Sequence, residues 1–122
     1  MKSNSNYDVG LSVWLHTGSE TIFCQGRALL LEGIEEHGSL RQAAKSLGMS
    51  YRAAWGKLKK TQDILGFDLV VLSGEQPRRY ELTSRAREIL KAFNSWRNRM
   101  KTIAGKEARE LQELFKGAGP EK

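Results

Sequence analysis

The feature that most constrains this chain is residues 38–66, GSLRQAAKSLGMSYRAAWGKLKKTQDILG, which encode two short helices in immediate succession. Ser39 is placed to cap the first, where Leu40, Ala43, Ala44 and Leu47 fall at i, i+3, i+4 and i+7 and make one face of small and apolar side chains. Gly48-Met49 ends that helix after about two turns, and Ser50 is placed to cap the next. In the second helix Ala54, Leu58, Thr61 and Leu65 lie within about 60° of one another at roughly 100° per residue, a narrow stripe for burial, and Gly66 is its stop. Ala43 and Ala44 are small because the helices must cross at close range there, Gly48 permits the tight turn, and Met49 fills the space beneath it. This is the helix-turn-helix pattern.

The side of the second helix opposite its stripe carries Arg52, Gly56 and Lys59, with Trp55 on one flank and Lys60 on the other. Twenty Lys and Arg against 14 Asp and Glu give a net charge of +6, and the distribution is lopsided. Residues 37–62 hold six bases and no acid, and residues 85–101 hold six more against Glu88 alone. Solvated helix faces would give the same counts, so where the bases lie matters more than how many there are. Arg52 and Lys59 are candidates for base contacts, since an outward Arg or Lys can reach guanine O6 and N7. Ser50, Tyr51, Lys57 and Lys60 suit backbone phosphates, with the helix N-terminal amides beside Ser50 and Tyr51. Gly56 would allow close approach, Trp55 is divided between flanking the core and stacking on the backbone, and Ser39 and Arg41 complete the nucleic-acid set.

A β-prone run at residues 69–72, a turn at 73–77 and a return strand at 78–82 follow directly, with Arg78 and Arg79 expected on phosphates. That makes the helix-turn-helix winged. Ahead of it, Leu11, Val13 and Leu15 alternate with Ser12, Trp14 and His16, and with Thr21–Cys24 they predict a β-hairpin across residues 10–24. Residues 27–37 predict the first helix, stopped by Gly38. After the wing, Thr83 or Ser84 caps a long helix in which Ala86, Ile89, Phe93, Trp96, Met100 and Ile103 form a heptad seam. The pattern then steps to Ala104, Ala108, Leu111 and Phe115, with Gly105 at the shift. The organisation is therefore a polar tail and hairpin (1–25), a winged helix-turn-helix (26–83), a long helix (84–116) whose seam is the expected homodimer interface, and a flexible tail (117–122). The fold class is α+β, mainly α.

Other chemistries find little support. His16, Cys24 and His37 have no metal-ligand spacing, and Cys24 reads as a small buried residue. No phosphate loop, nucleophile elbow or HExxH motif occurs, and Glu35-Glu36 reads as solvated surface. The expectation is no enzyme, no cofactor and no metal. No apolar run approaches a membrane span and no secretion signal is visible, so a cytoplasmic protein is expected.

The segment GRALLLEGIEEHGSLRQAAKSLGMSYRAAWGKLKK, with LTSRAREIL after the wing, resembles the N-terminal DNA-binding domain of the molybdate-responsive ModE regulators, relatives of the LysR-type winged helix. The resemblance covers roughly residues 10–100 and is carried chiefly by GSLRQAAKSLGMSYRAAW. It implies a dimeric transcription regulator on double-stranded DNA, with the third helix in the major groove and the long helix between protomers. Where the family has a glycine-rich wing this chain has SGEQPRRYE, and it ends where the family's oxyanion-binding domains begin, so no molybdate or other oxyanion ligand is expected within it. An architectural DNA binder of low specificity and a winged-helix protein-interaction module are the competing classes.

Overall fold

The computed structural model describes residues 7–117; the first six residues and 118–122, which include most of the expected tails, lie outside the described residues. Two compact units divide the chain, residues 13–94 and, of the described remainder, residues 7–12 with 95–117. Strands β1 (Leu15–Thr17) and β2 (Glu20–Phe23) open the larger unit, followed by helices α1 (Gln25–His37), α2 (Leu40–Ser46) and α3 (Tyr51–Leu65). Strands β3 (Val70–Ser73) and β4 (Arg79–Leu82) form the wing, and helix α4 (Ser84–Glu107) begins in this unit.

The helix ends are set by the residues the sequence points to. Gly38 and Gly66 close α1 and α3 in the left-handed conformation, at φ 66° and 83°, which other residues adopt only with strain. The hydroxyls of Ser39, Ser50 and Thr83 accept from the amides of Gln42, Ala53 and Ala86, so Thr83 rather than Ser84 caps α4. The core gathers Leu30, Leu31 and Ile34 of α1, Leu40, Ala43 and Ala44 of α2, Ala54 and Leu58 of α3, and Leu69 and Leu82 of the wing. Thr61 is the buried polar member of the α3 stripe; its hydroxyl accepts from Arg27 Nε at 2.9 Å and donates to the Lys57 carbonyl at 2.9 Å, so its polarity is satisfied. The close approach at Ala43 is made with α1 and not, as expected, with α3: a Cβ on Gly33 would lie 3.0 Å from the Ala43 Cβ.

Two expectations at the head of the chain are corrected. The first strand spans only Leu15–Thr17, because β2 offers partners for Leu15, His16 and Thr17 alone; Leu11, Trp14 and Leu15 are exposed and Phe23 enters the core instead. Cys24 is half-buried at the head of α1, where Arg27 Nη1 donates to its Sγ at 3.6 Å. Glu35 is exposed, as expected, and is also bonded: Oε1 accepts from the Leu82 amide at 3.2 Å and Oε2 from Arg87 Nε at 2.8 Å.

The seam of α4 divides by depth. Ala86 and Phe93 are buried within the chain, Phe93 edge-on to Phe23 with ring centroids 5.0 Å apart, so they have no surface to offer a second protomer. Ile89, Trp96 and Met100 are half-buried and Ile103 is exposed. In the smaller unit the expected long helix carries a one-residue irregularity at Ala108, three residues beyond Gly105, and continues as α5 (Arg109–Gly117); the amides of Ala108 and Gln112 still donate to the carbonyls of Ala104 and Ala108, at 3.0 and 2.9 Å. There the Tyr7 and Phe115 rings meet at a tilt of 47° with centroids 5.5 Å apart, and Leu111, Leu114 and Phe115 stay exposed.

The Arg87 guanidinium, hydrogen-bonded to Glu35, holds that carboxyl below the ordinary glutamate range, offset in part by burial and aided by the Leu82 amide. A depressed carboxyl pKa stabilises the fold fully above the ordinary value of about 4.3, and that contribution is lost as pH falls through the depressed value. In urea titrations the stability gap between wild type and Glu35→Gln should therefore be open at pH 7 and close on acidification. A gap of constant size would refute the assignment.

Candidate nucleic-acid interface

With Ala54, Leu58 and Thr61 turned into the core, α3 leaves Tyr51, Arg52, Trp55, Gly56, Lys57, Lys59 and Lys60 exposed. A Cβ on Gly56 would meet no atom within 4 Å, so this side of the helix is open at its middle. Gly48, at φ 71°, turns the chain between α2 and α3 as the sequence requires. Ser50 holds the first turn of α3 by accepting from the Ala53 amide at 3.0 Å.

The cations differ in what already occupies them. Lys59 pairs with Asp63 at 3.1 Å and Lys60 with Glu20 of β2 at 2.9 Å. Asp63 lies one residue beyond the acid-free stretch of the sequence and one turn along from Lys59. Both pairs are well exposed, with lysine side chains at 58%, and pairs of this kind are worth roughly 0.2–1 kcal/mol, so a phosphate can displace the carboxylate. Among the described residues Arg52, Lys57 and Arg78 make no ion pair, which leaves them the readiest cations.

Arg41 of α2 stacks over the Tyr51 ring at 4.4 Å, joining two candidates into one platform at the mouth of the turn. Trp55 is 40% exposed, which favours its surface reading over a place in the core. Ser39 is half-buried and spends its hydroxyl on capping α2.

Both arginines of the wing are exposed: Arg78 precedes β4, and Arg79 begins it with its guanidinium lying against Gly38, where a Cβ would collide with it. Tyr80 N–H donates to the Gly38 carbonyl at 3.0 Å, so the wing's return strand is tied to the junction of α1 and α2. Gln62, on the inner side of α3, accepts from the Leu69 amide at 2.8 Å and the Val70 amide at 3.3 Å, tying the other strand to the helix. Sequence reading missed Gly33, Glu35 and Gln62. Of these only the mid-helix glycine carried a signal, since glycine inside a helix costs about 0.5–1 kcal/mol and needs a reason.

Among the described residues no three His, Cys, Asp or Glu side chains converge on a possible metal position, and no helix is long and apolar enough to cross a membrane.

Residues 28–87 match the bacterial regulatory helix-turn-helix protein family of the lysR type. The chain is also similar to the molybdenum transport protein ModE of Azotobacter vinelandii, at 30% identity over 105 residues that cover 84% of this chain and 39% of that protein. It thus spans well under half the length of that relative.

Proposed function

We infer that this chain, whose residues 28–87 match the lysR-type regulatory helix-turn-helix family, acts as a sequence-specific transcription regulator that binds duplex DNA as a dimer, with α3 in the major groove. The observation that carries the reading is the outer side of α3: Arg52, Lys59, Lys60 and Trp55 around a glycine with no atom within 4 Å, with Tyr51 and Lys57 exposed at its margins, on a helix whose opposite stripe is fixed in the core. A helix reading base edges needs that combination of rigidity behind and open, cationic surface in front.

Arg52 reads a base, with Lys59 a second reader once it leaves Asp63. Ser50, Tyr51, Lys57, Lys60 and Arg78 hold phosphates, with Arg41 behind Tyr51. Trp96, Met100 and Ile103, with Ile89, supply the apolar contact between protomers. Two such domains related by a two-fold axis would address half-sites about one helical turn, roughly 34–36 Å, apart.

Selection from random duplex DNA at physiological salt should return a two-fold symmetric motif. Binding without any motif, fading steeply with salt, would point to an architectural role, and no binding would point to a protein partner. On the recovered site, Arg52→Ala should cost about 1–3 kcal/mol and relax preference at one base pair. Arg78→Ala should weaken all sequences alike and flatten the salt dependence by about one unit. Equal, sequence-independent losses from both variants would remove Arg52 from base reading.

A further inference from the structure

We propose that Glu35, which sits on α1 and outside the DNA-facing surface, is the positioning residue of the wing: it fixes β4 against α1 and α4 and thereby sets where Arg78 meets the DNA backbone. The proposal rests on the DNA-binding reading for its consequence, though not for its geometry.

An isolated two-stranded hairpin is marginal in water, so the pose of β3–β4 is decided by what holds it. Residues two apart on a strand send their N–H groups to the same edge, and Tyr80 and Leu82 send theirs toward α1. Tyr80 meets the backbone carbonyl of Gly38 at 3.0 Å, an attachment independent of side-chain identity. Leu82 meets Glu35 Oε1 at 3.2 Å, an attachment that exists only because residue 35 carries a carboxylate.

The second oxygen of Glu35 is held by Arg87 Nε at 2.8 Å, and the same guanidinium reaches Glu81 on β4 at 4.0 Å. Glu81 in turn accepts from the Ser73 hydroxyl across the hairpin. One carboxylate therefore joins α1, the base of the wing and the first turn of α4. Arg78 stands four residues from Leu82, roughly 13 Å along an extended strand, so a small rotation at the base is enlarged at the tip.

Glu35→Ala removes both attachments, and Glu35→Gln keeps an acceptor for Leu82 while losing the ion pair. Amide exchange read without DNA should show Leu82 opening at least about tenfold faster in Glu35→Ala, with helical content unchanged by circular dichroism. On the selected duplex, Glu35→Ala should lower affinity about tenfold and reduce the salt slope by about 0.9, the equivalent of one phosphate. Its discrimination between that duplex and a scrambled one should be unaltered. Adding Arg78→Ala to Glu35→Ala should then cost nothing further, because the contact is already lost. Glu35→Gln should fall between Glu35→Ala and wild type, which separates a positioning effect from general loss of fold. An unchanged Leu82 exchange rate, or the same Arg78→Ala loss in both backgrounds, would overturn the proposal. A wild-type protein that bound no duplex would sink the functional reading and the DNA half of this one, while the exchange rate would still decide whether Glu35 holds the wing.

Discussion

Gly56→Glu is expected to lose at least about a hundredfold in DNA affinity while unfolding at the same or a higher urea concentration than wild type. A Cβ at Gly56 has no atom within 4 Å, so the fold accepts a longer side chain without strain. Glycine inside a helix is also the less stable choice, and replacing it recovers up to about 1 kcal/mol of helix propensity. If α3 lies in the major groove, however, the new carboxylate stands between Arg52 and Lys60 and faces phosphate and base acceptors. Juxtaposed like charges cost several kcal/mol, and about 3 kcal/mol is already a hundredfold in affinity. Opposite signs in the two assays are what give the variant its value, because a damaged fold would lower both. Binding within threefold of wild type would show that the outer side of α3 does not meet DNA. Gly56→Ala is the companion: it should gain about 0.5–1 kcal/mol of stability, and its effect on binding reads how closely the helix approaches.

Phe93→Ala should destabilise the protein by about 3–5 kcal/mol, by an amount that does not change with protein concentration. Its side chain is only 5% exposed and its ring meets Phe23 edge-on, so truncation leaves a cavity between α4 and the hairpin. A residue at the boundary between protomers would behave differently, its cost shrinking as mass action favours the dimer. Urea titrations at two concentrations a hundredfold apart distinguish the two. A concentration-dependent loss would return Phe93 to the subunit interface.

That variant also marks where sequence reading stops. A heptad stripe is a statement about one side of a helix, and it reads alike whether that side meets the helix's own domain or a second copy. Ala86 and Phe93 turned out to face inward, which spacing cannot reveal. The helix-turn-helix was legible because its determinants are local: Ser39, Ser50, Gly38, Gly48 and Gly66 each act within a turn of their own position. The first hairpin was only half legible, since alternation from Leu11 onward describes a strand but pairing needs partners, and β2 supplies three. Glu35 was invisible because its partners lie 47 and 52 residues away, and nothing in an adjacent acidic pair announces them. Within the candidate interface the exposed residues of α3 were readable from the helical period. Lys59 and Asp63, at i and i+4, were within reach by the same period, whereas Arg79 folding back on Gly38 depends on geometry that the period does not carry.

The Gln62 side chain has a practical consequence for anyone wishing to redirect the domain. By accepting from the amides that begin the wing, it makes the inner side of α3 part of the support of the next element. Grafting a foreign recognition helix with any non-accepting residue at this place would leave two peptide groups without a partner and let the following ribbon drift. A sound exchange boundary therefore lies after residue 82, carrying helix and ribbon together as one cassette, or else leaves Gln62 in place and rewrites only the outward positions.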